Sequence, residues 1–471
     1  MRVVRNYLYN AFYQIFILLV PLITTPYLSR VLGPVGIGIN AYTNSIIQYF
    51  ILFGSIGINL YGNRQIAFVR EDRKELTKTF YEIFFLRILT IFVALLAFMF
   101  FLLSTNQYHV YYLAQSVSII AAAFDISWFF MGVENFAVTV LRNFVVKIVT
   151  LISIFSFVKS EADLWLYILI LSLSLLLGNL TLFPNLKKYI DRPIFDSLNI
   201  RHHLLPALGL FVPQVATQIY LVVNKTMLGM MTSVQSVGYF DQSDKIIKMV
   251  LAIVTATGTV MLPHVANAFA NGEHEKTRGY LYKSFSFVSV ISFPMFLGII
   301  AVAPQFVPLF FTNRFNAVIP LMIIESSVIL LIAWSNAIGT QYLLPTRQTR
   351  SYTISVVLGA AVNIMVNIPL ILFWGAVGAT VATVLSEITV TAYQLWSIRK
   401  QISFNRLFAE TGKYFFASIV MFVIVELMSQ QLTTAWLMLA AEVFAGLVVY
   451  SAMLILLRAD IIKEAVQLLR H

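Results

Sequence analysis

The chain has 471 residues, of which 59% are apolar and only 11% charged, against roughly a quarter charged in an ordinary soluble domain. That balance excludes a water-soluble globular protein, and the lack of cysteine excludes disulfides, thiolate chemistry and Cys-ligated metals. A net charge of +11 would suggest nucleic acid in a soluble protein, but here most Lys and Arg residues gather in short segments between apolar runs, where they report topology instead.

Apolar runs of bilayer-spanning length recur from one end to the other. They lack the strict alternation of barrel strands, so they read as helices. Fourteen spans are expected, at 9–31, 36–58, 80–103, 109–132, 140–158, 164–184, 205–230, 237–262, 281–304, 317–340, 353–373, 376–398, 412–430 and 435–457. The expected fold class is all-α, a polytopic membrane protein. Residues 1–200 would form an N-lobe of six helices, 201–400 a C-lobe of six, and 401–471 two further helices with a cytoplasmic tail.

In chain order, the first span follows Arg2 and Arg5 and has no small-residue cleavage site, which suits an uncleaved signal anchor. Pro21 and Pro26 bend it, and Gly33, Gly36 and Gly38 read as a tight turn. Asn40, Asn44 and Gln48 then line one face of span two at helical spacing. A basic loop with Arg64, Arg70, Arg73, Lys74 and Lys78 follows, which places it and both termini in the cytoplasm. Arg87 and Asp125 stand at similar depth about the turn near 106, and a charge inside the bilayer is costly, so a structural ion pair is expected. Glu161-Ala-Asp163 reads as a solvated loop, and His202-His203 as part of a polar linker without metal-ligand spacing. The 185–204 segment, with Asp191-Arg192-Pro193, would lie along the membrane surface.

The second half opens with Pro206 and Pro213 in span seven and a stripe of Gln214, Gln218 and Lys225. Lys225 and Asp241 flank the turn near 233 at equal distance, with Asp244 and Lys245 a turn further, so a second structural ion pair competes with a substrate role for Lys225. Asn363 and Asn367 lie within span eleven. These amide stripes read either as interhelical hydrogen-bond glue or as the border of a hydrated cavity, and their occurrence on several helices favours the cavity. Glu325, Glu387, Glu426 and Glu442 lie within later spans and are candidates for a carboxylate coupled to a proton or sodium gradient. No cofactor or metal is expected. A phosphate-binding loop is missing, so the chain is not its own ATPase, and no cluster supports catalysis.

Val20-Pro21 through Leu32-Gly33 and Val35-Gly36 echoes Val212-Pro213 through Leu228-Gly229 and Val237-Gly238. A basic loop follows the second span of each pair. This repeat supports two parallel halves with a substrate site between them.

The stretch Tyr27-Leu-Ser-Arg-Val-Leu-Gly-Pro-Val-Gly-Ile-Gly38 resembles the first-hairpin signature of the polysaccharide-transporter family. So do Trp128-Phe-Phe-Met-Gly-Val-Glu-Asn-Phe136 with Arg142-Asn143, Leu228-Gly229 through Val237-Gly-Tyr-Phe-Asp-Gln242, Leu343-Leu-Pro-Thr-Arg347 and Gly375-Ala-Val-Gly-Ala-Thr380. That family comprises Wzx-type flippases within the superfamily of multidrug, oligosaccharidyl-lipid and polysaccharide exporters. The resemblance implies transfer of an undecaprenyl-pyrophosphate-linked oligosaccharide from the inner to the outer leaflet of a bacterial cytoplasmic membrane. It implies alternating access, two lobes around a cationic cavity, and a polymerase and glycosyltransferases as pathway partners. Arg30 matches by position a basic residue of related flippases. Where many relatives carry Asp before a basic residue this chain has Asn224-Lys225, so any carboxylate role at 224 is lost. On this reading Arg30 and Lys225 meet the pyrophosphate, while Asn40, Asn44, Gln48, Gln214, Gln218, Asn363 and Asn367 border the sugars.

Two other functions compete. A cation-coupled multidrug exporter of the same superfamily would have twelve spans and an acidic, aromatic pocket. A membrane polymerase or glycosyltransferase would need a large outer loop, which the layout lacks.

Overall fold

The computed structural model describes residues 2–192, 198–255, 258–431 and 434–462. Among them there is no strand, and helices joined by turns and short loops make up the described residues. Eleven helical stretches are long and apolar enough to cross a membrane. The first, Val20–Val69, contains the second expected span and the latter half of the first. Two more expected spans correspond to the more polar helices Ile200–Met231 and Val234–Thr255. The all-α, polytopic membrane fold follows from this layout. Large apolar side chains such as Phe100, Leu103 and Phe373 stand exposed on its outer faces, as a hydrocarbon solvent requires.

The chain divides into two compact units, Met1–Thr226 and Met227–His471. The first contains α1 (Arg2–Ser55), α2 (Ile58–Val69), α3 (Arg73–Ser104), α4 (His109–Ala123), α5 (Ser127–Gly132), α6 (Phe136–Phe157), α7 (Leu164–Leu180) and α8 (Phe183–Leu186). Helix α9 (Ile200–Met231) begins in it. Helix α1 is two helices that meet at Gly33, whose φ of 64° and ψ of 178° belong to a region open essentially to glycine alone. Pro34 follows at the first position of the second helix, where its missing N–H costs nothing. Apolar faces of α1, α3 and α4 close on Ile47, Ile91, Phe98 and Ile119. A second core gathers Tyr61, Phe80, Ile83, Trp128, Phe129 and Phe130 from α2, α3 and α5. The Trp128 ring fills the space that a Cβ on Gly62 would take.

His203 differs from its expected setting in a polar linker. Its side chain is buried, with Nδ1 2.7 Å from the Tyr61 hydroxyl and Nε2 2.7 Å from Glu82 Oε2. The other Glu82 oxygen accepts the Asn199 backbone N–H at 2.6 Å. A carboxylate buried this deeply needs its lone pairs met, and His203 and Asn199 meet them. The segment before them is pinned by Asp191, which takes Arg73 Nη2 at 2.8 Å and Nε at 3.0 Å. That bidentate pair holds the Asp191 carboxyl below its ordinary range through the Arg73 hydrogen bonds. The surface segment expected over 185–204 lies partly outside the described residues. Asp163 accepts from Lys159 N, Ser160 N and Ser160 Oγ in an exposed turn, which gives its carboxylate a local structural role.

The second unit holds α10 (Val234–Thr255), α11 (Gly258–Ala270), α12 (His274–Phe310), α13 (Val318–Glu325), α14 (Ser327–Ser335), a π-helical turn at Asn336–Leu343, α15 (Thr349–Trp374), α16 (Ala376–Ile398), α17 (Phe404–Leu407), α18 (Thr411–Gln431) and α19 (Trp436–Leu456). Helix α12 packs against α18 and α19 through Phe293, Ala301, Tyr414, Ala417, Met421 and Tyr450. Helices α15 and α16 form a tight hairpin that turns on Gly375 at φ 56°. Three residues later Gly378 lies so close to the Leu370 carbonyl that any Cβ there would collide with backbone. Overpacking against backbone costs about 1–3 kcal/mol or more. Gly378→Ala is therefore expected to lower the melting temperature of the detergent-purified protein by several degrees, and Gly412→Ala, where a Cβ meets nothing, to leave it unchanged. Equal melting of the two variants would show that the hairpin is loosely packed.

Candidate functional site

Helix α4 stops at Ala123 and α5 starts at Ser127, in the middle of a stretch expected to be one span. The last carbonyls of α4 accept turn bonds, Ala121 O from Phe124 N at 3.2 Å and Ala122 O from Asp125 N at 3.4 Å. Side chains of neighbouring helices add a second donor to each. Arg87 Nε of α3 donates to Ala122 O at 2.5 Å, and Asn179 Nδ2 of α7 donates to Ala121 O at 2.7 Å. Arg87 Nη1 also reaches Asn59 Oδ1 at 2.5 Å, and its Nη2 stands 3.5 Å from Asp125 Oδ2. Asp125 Oδ1 in turn accepts Ser127 N at 3.0 Å and Ser127 Oγ at 2.6 Å, the local turn that Asp favours two residues ahead of a backbone N–H. Arg142 Nη1 of α6 donates to Asn179 Oδ1 at 2.6 Å.

This network walls a cavity of about 330 Å³. Gln48, Ser55, Asn59, Ser118, Ser127, Arg142, Asn143 and Asn179 border it together with Arg87 and Asp125. Gly178 allows α7 to come close to Val146 on α6. The lining offers neutral donors and acceptors with two guanidiniums against a single acid, a composition suited to hydroxyl-rich or anionic groups. A cationic guest would meet net repulsion.

The sequence-based candidates are distributed as follows. Gln48 lines the cavity and donates to Asn44 Oδ1 at 3.4 Å. Asn44 is exposed, and Asn40 receives Gln115 Nε2 at 3.2 Å. Arg30 is exposed, with Nη1 on the Pro26 carbonyl at 2.8 Å. Lys225 is half-buried, beside Thr226, whose hydroxyl is 2.9 Å from Ser45 Oγ. Gln218 is exposed, and the Gln214 side chain lies outside the described residues. Arg87 and Asp125 form the contact described above.

In the second unit Asn363 and Asn367 are wholly buried, and Asn367 Nδ2 donates to Asn363 Oδ1 at 2.9 Å. They continue a row of every fourth residue, Ser355, Gly359, Asn363 and Asn367, buried on α15. Ser386 of α16 donates to Gly359 O from the facing helix. The Gly359 turn of this row packs against α16. Asp241 pairs with Lys245 at 2.6 Å and Asp244 with Lys248 at 2.8 Å, both along α10. Two further cavities lie within this unit. One of about 290 Å³ is polar, with Arg278, Tyr342, Gln348 and Lys400 on its walls. The other, of about 630 Å³, is lined almost entirely by aliphatic side chains of α10, α12, α18 and α19.

Sequence reasoning assigned no role to Asn59, Arg142 or Asn179. Arg142-Asn143 belongs to one of the recognised motifs, and Asn179 is a lone amide in an apolar run, so both carried a signal. Asn59 carried none, because its meaning comes from Arg87.

Arg87 is committed to three acceptors and is 1% exposed, so its removal takes the charge partner of Asp125 and a donor of Ala122 O together. Losing one partner of a buried pair costs about 3–5 kcal/mol. Arg87→Ala is expected to abolish a monodisperse peak in fluorescence-detected size exclusion, while Asp125→Asn, which keeps an acceptor for Ser127, retains one at reduced melting temperature. Normal folding of Arg87→Ala would assign the guanidinium to a ligand instead.

Residues 3–269 match the family model described as polysaccharide biosynthesis protein. A protein of Escherichia coli (strain K12) named as an O-antigen transporter is 24% identical over 403 residues, covering 84% of this chain and 96% of that protein. Among solved structures, a lipid II flippase MurJ in an inward closed conformation superposes with a TM-score of 0.80 at 17% identity, covering 98% of this chain and 100% of that one. An inward-facing multidrug resistance MATE family transporter of the MOP superfamily superposes with a TM-score of 0.63 at 13% identity, covering 82% and 98%. The fold is thus that shared by these MOP-type proteins. With more than half its length matched by the family model, and the motifs that shape its first unit inside that match, the chain belongs to the polysaccharide biosynthesis protein family.

Proposed function

We propose that this chain is a flippase that carries oligosaccharides linked to undecaprenyl pyrophosphate from the inner to the outer leaflet of a bacterial cytoplasmic membrane, by alternating access and without catalysing a covalent step. The observation that carries this reading is a cavity rich in amides, hydroxyls and guanidiniums inside an apolar helical unit of a polysaccharide-biosynthesis family member. A sugar chain needs neutral donors and acceptors, which Gln48, Asn59, Asn143 and Asn179 supply. Arg30 and Lys225 are proposed to meet the pyrophosphate, whose charge is stabilised far more strongly in low dielectric than in water. The aliphatic cleft of the second unit suits a polyprenyl chain. The multidrug-exporter reading has fold similarity behind it, but two guanidiniums against one carboxylate at the cavity oppose a cationic drug. A polymerase and glycosyltransferases are the proposed pathway partners.

Charge removal tests the reading. Loss of one charge-assisted contact costs about 1.5–3 kcal/mol, so Arg30→Gln and Lys225→Gln should each slow flipping of a fluorescent undecaprenyl-pyrophosphate oligosaccharide in proteoliposomes by roughly ten- to a hundredfold. The charge-conserving exchanges Arg30→Lys and Lys225→Arg should recover part of the rate. Near-normal flipping by the double Gln variant at equal reconstitution would place the pyrophosphate elsewhere.

The proposed orientation has both termini and the basic loop between α2 and α3 in the cytoplasm. Single cysteines introduced at Lys74 and Lys159 of this Cys-free chain are expected to react from opposite sides, with an impermeant maleimide reaching only the latter in sealed cells. Reaction at both would overturn the layout.

A further inference from the structure

The aliphatic cleft of the second unit contains one feature that its lining does not explain. Glu442, in the first third of α19, stands on its wall with none of its surface exposed. Its Oε1 accepts Gln305 Nε2 of α12 at 2.9 Å. Its Oε2 is buried and has no hydrogen-bond partner. The same Gln305 amide nitrogen also serves Ser429 O at 3.0 Å and Ser429 Oγ at 2.8 Å on α18. Two hydrogens are therefore shared among three acceptors, and Gln305 Oε1 is left bare as well.

Several other acids of low exposure have a basic or hydroxyl partner. Asp125 has Arg87, Glu82 has His203, Asp241 has Lys245 and Asp244 has Lys248. Glu325 receives the Ser243 hydroxyl. Among the described residues no ion pair reaches Glu442. The titratable groups on the surrounding helices do not offset its charge. Glu426 of α18 is a second acid, bonded to Gln430 at 3.4 Å. Tyr450 of α19 donates to Val290 O at 2.7 Å, and the Tyr414 hydroxyl is 2.7 Å from Ser286 Oγ. Helix α10 contributes Val250 and Ile253 to the cleft, both apolar. An ionised carboxylate here would be a naked charge in hydrocarbon-like surroundings, the costliest arrangement available. It would also leave two bare acceptors side by side in one network. A proton on the carboxyl removes the charge and turns one acceptor into a donor.

We propose that Glu442 is a proton-binding site of the second unit, held as a neutral carboxylic acid on the wall of the apolar cleft and exchanging its proton only when water reaches that cleft. The ligand is a proton rather than a metal ion, because two bare oxygens among aliphatic walls cannot replace a hydration shell. Through Gln305 and Ser429 the carboxyl joins α12, α18 and α19, so its protonation state bears on how those three helices pack. The inference does not depend on which molecule the protein carries.

A hydrophobic carbodiimide provides the test, since it adds only to a protonated carboxyl in apolar surroundings. The carboxyl O–H adds across one C=N bond, and the O-acylisourea formed rearranges to a stable N-acylurea, with no redox change. The full-length protein, purified in detergent, is treated with dicyclohexylcarbodiimide and the peptide carrying residue 442 is read by mass spectrometry. An ordinary glutamate loses its neutral fraction about a hundredfold between pH 5 and pH 7. Labelling of Glu442 is expected to stay within about twofold over that interval, to vanish in Glu442→Gln, and to be absent with a water-soluble carbodiimide and glycine ethyl ester. A hundredfold decline between the two pH values, no adduct on folded wild-type protein, or equal reaction with the water-soluble reagent would each overturn the proposal. The wild-type measurement stands even if the Gln variant fails to fold, and it is read without any transport assay.

Discussion

A hydrocarbon interior supplies no donors of its own to the polar groups at a helix end, and the end of α4 is where this constraint shapes the first unit. Ala121 O and Ala122 O keep turn bonds from Phe124 N and Asp125 N, and each takes a second donor from Asn179 or Arg87. Each of those side chains brings in another: Asn179 is steadied by Arg142, and Arg87 by Asn59 and Asp125. These five residues, which brace the break, also line the cavity. A helix interruption and a hydrophilic pocket have one physical origin here, because groups recruited to satisfy backbone also present their remaining donors and acceptors inward.

Much of the fold was legible in the sequence because its driving signal, apolar length, is local and repeated. The basic loops were legible for the same reason. What escaped were features whose partners lie far away along the chain. At the break over 124–126, Asp125 was read only as a partner for Arg87, although its carboxylate also accepts Ser127 N two residues on. His203 looked like linker because Tyr61 and Glu82, which bury it, come from two other helices. Asn363 and Asn367 were read as a cavity border, and the structure adds that they continue a buried row with Gly359 and Ser355, one and two turns before Asn363.

Close backbone approach accounts for several glycines, two of them in the family-like motifs. Gly33 supplies a conformation closed to other residues, Gly62 makes room for Trp128, and Gly378 allows the α15–α16 hairpin to close. Gly33 and Gly378 are motif residues that shape backbone, and Gly62 lies outside the motifs but makes room for the motif residue Trp128. These glycines identify a scaffold, whereas the motif residues Arg142 and Asn143 line the cavity.

The Tyr61–His203–Glu82 cluster has a consequence for biogenesis. Glu82 and His203 are 121 residues apart in the chain, and at roughly 5–20 residues per second the ribosome needs on the order of ten seconds to deliver the histidine after the glutamate. For that interval α3 carries a carboxylate without its partner near a membrane boundary. The helix can settle at its final depth only once the start of α9 has emerged. Completion of the first unit is therefore timed by synthesis of a helix that runs on into the second, and a nascent chain arrested between the two residues would hold α3 shallow in the bilayer.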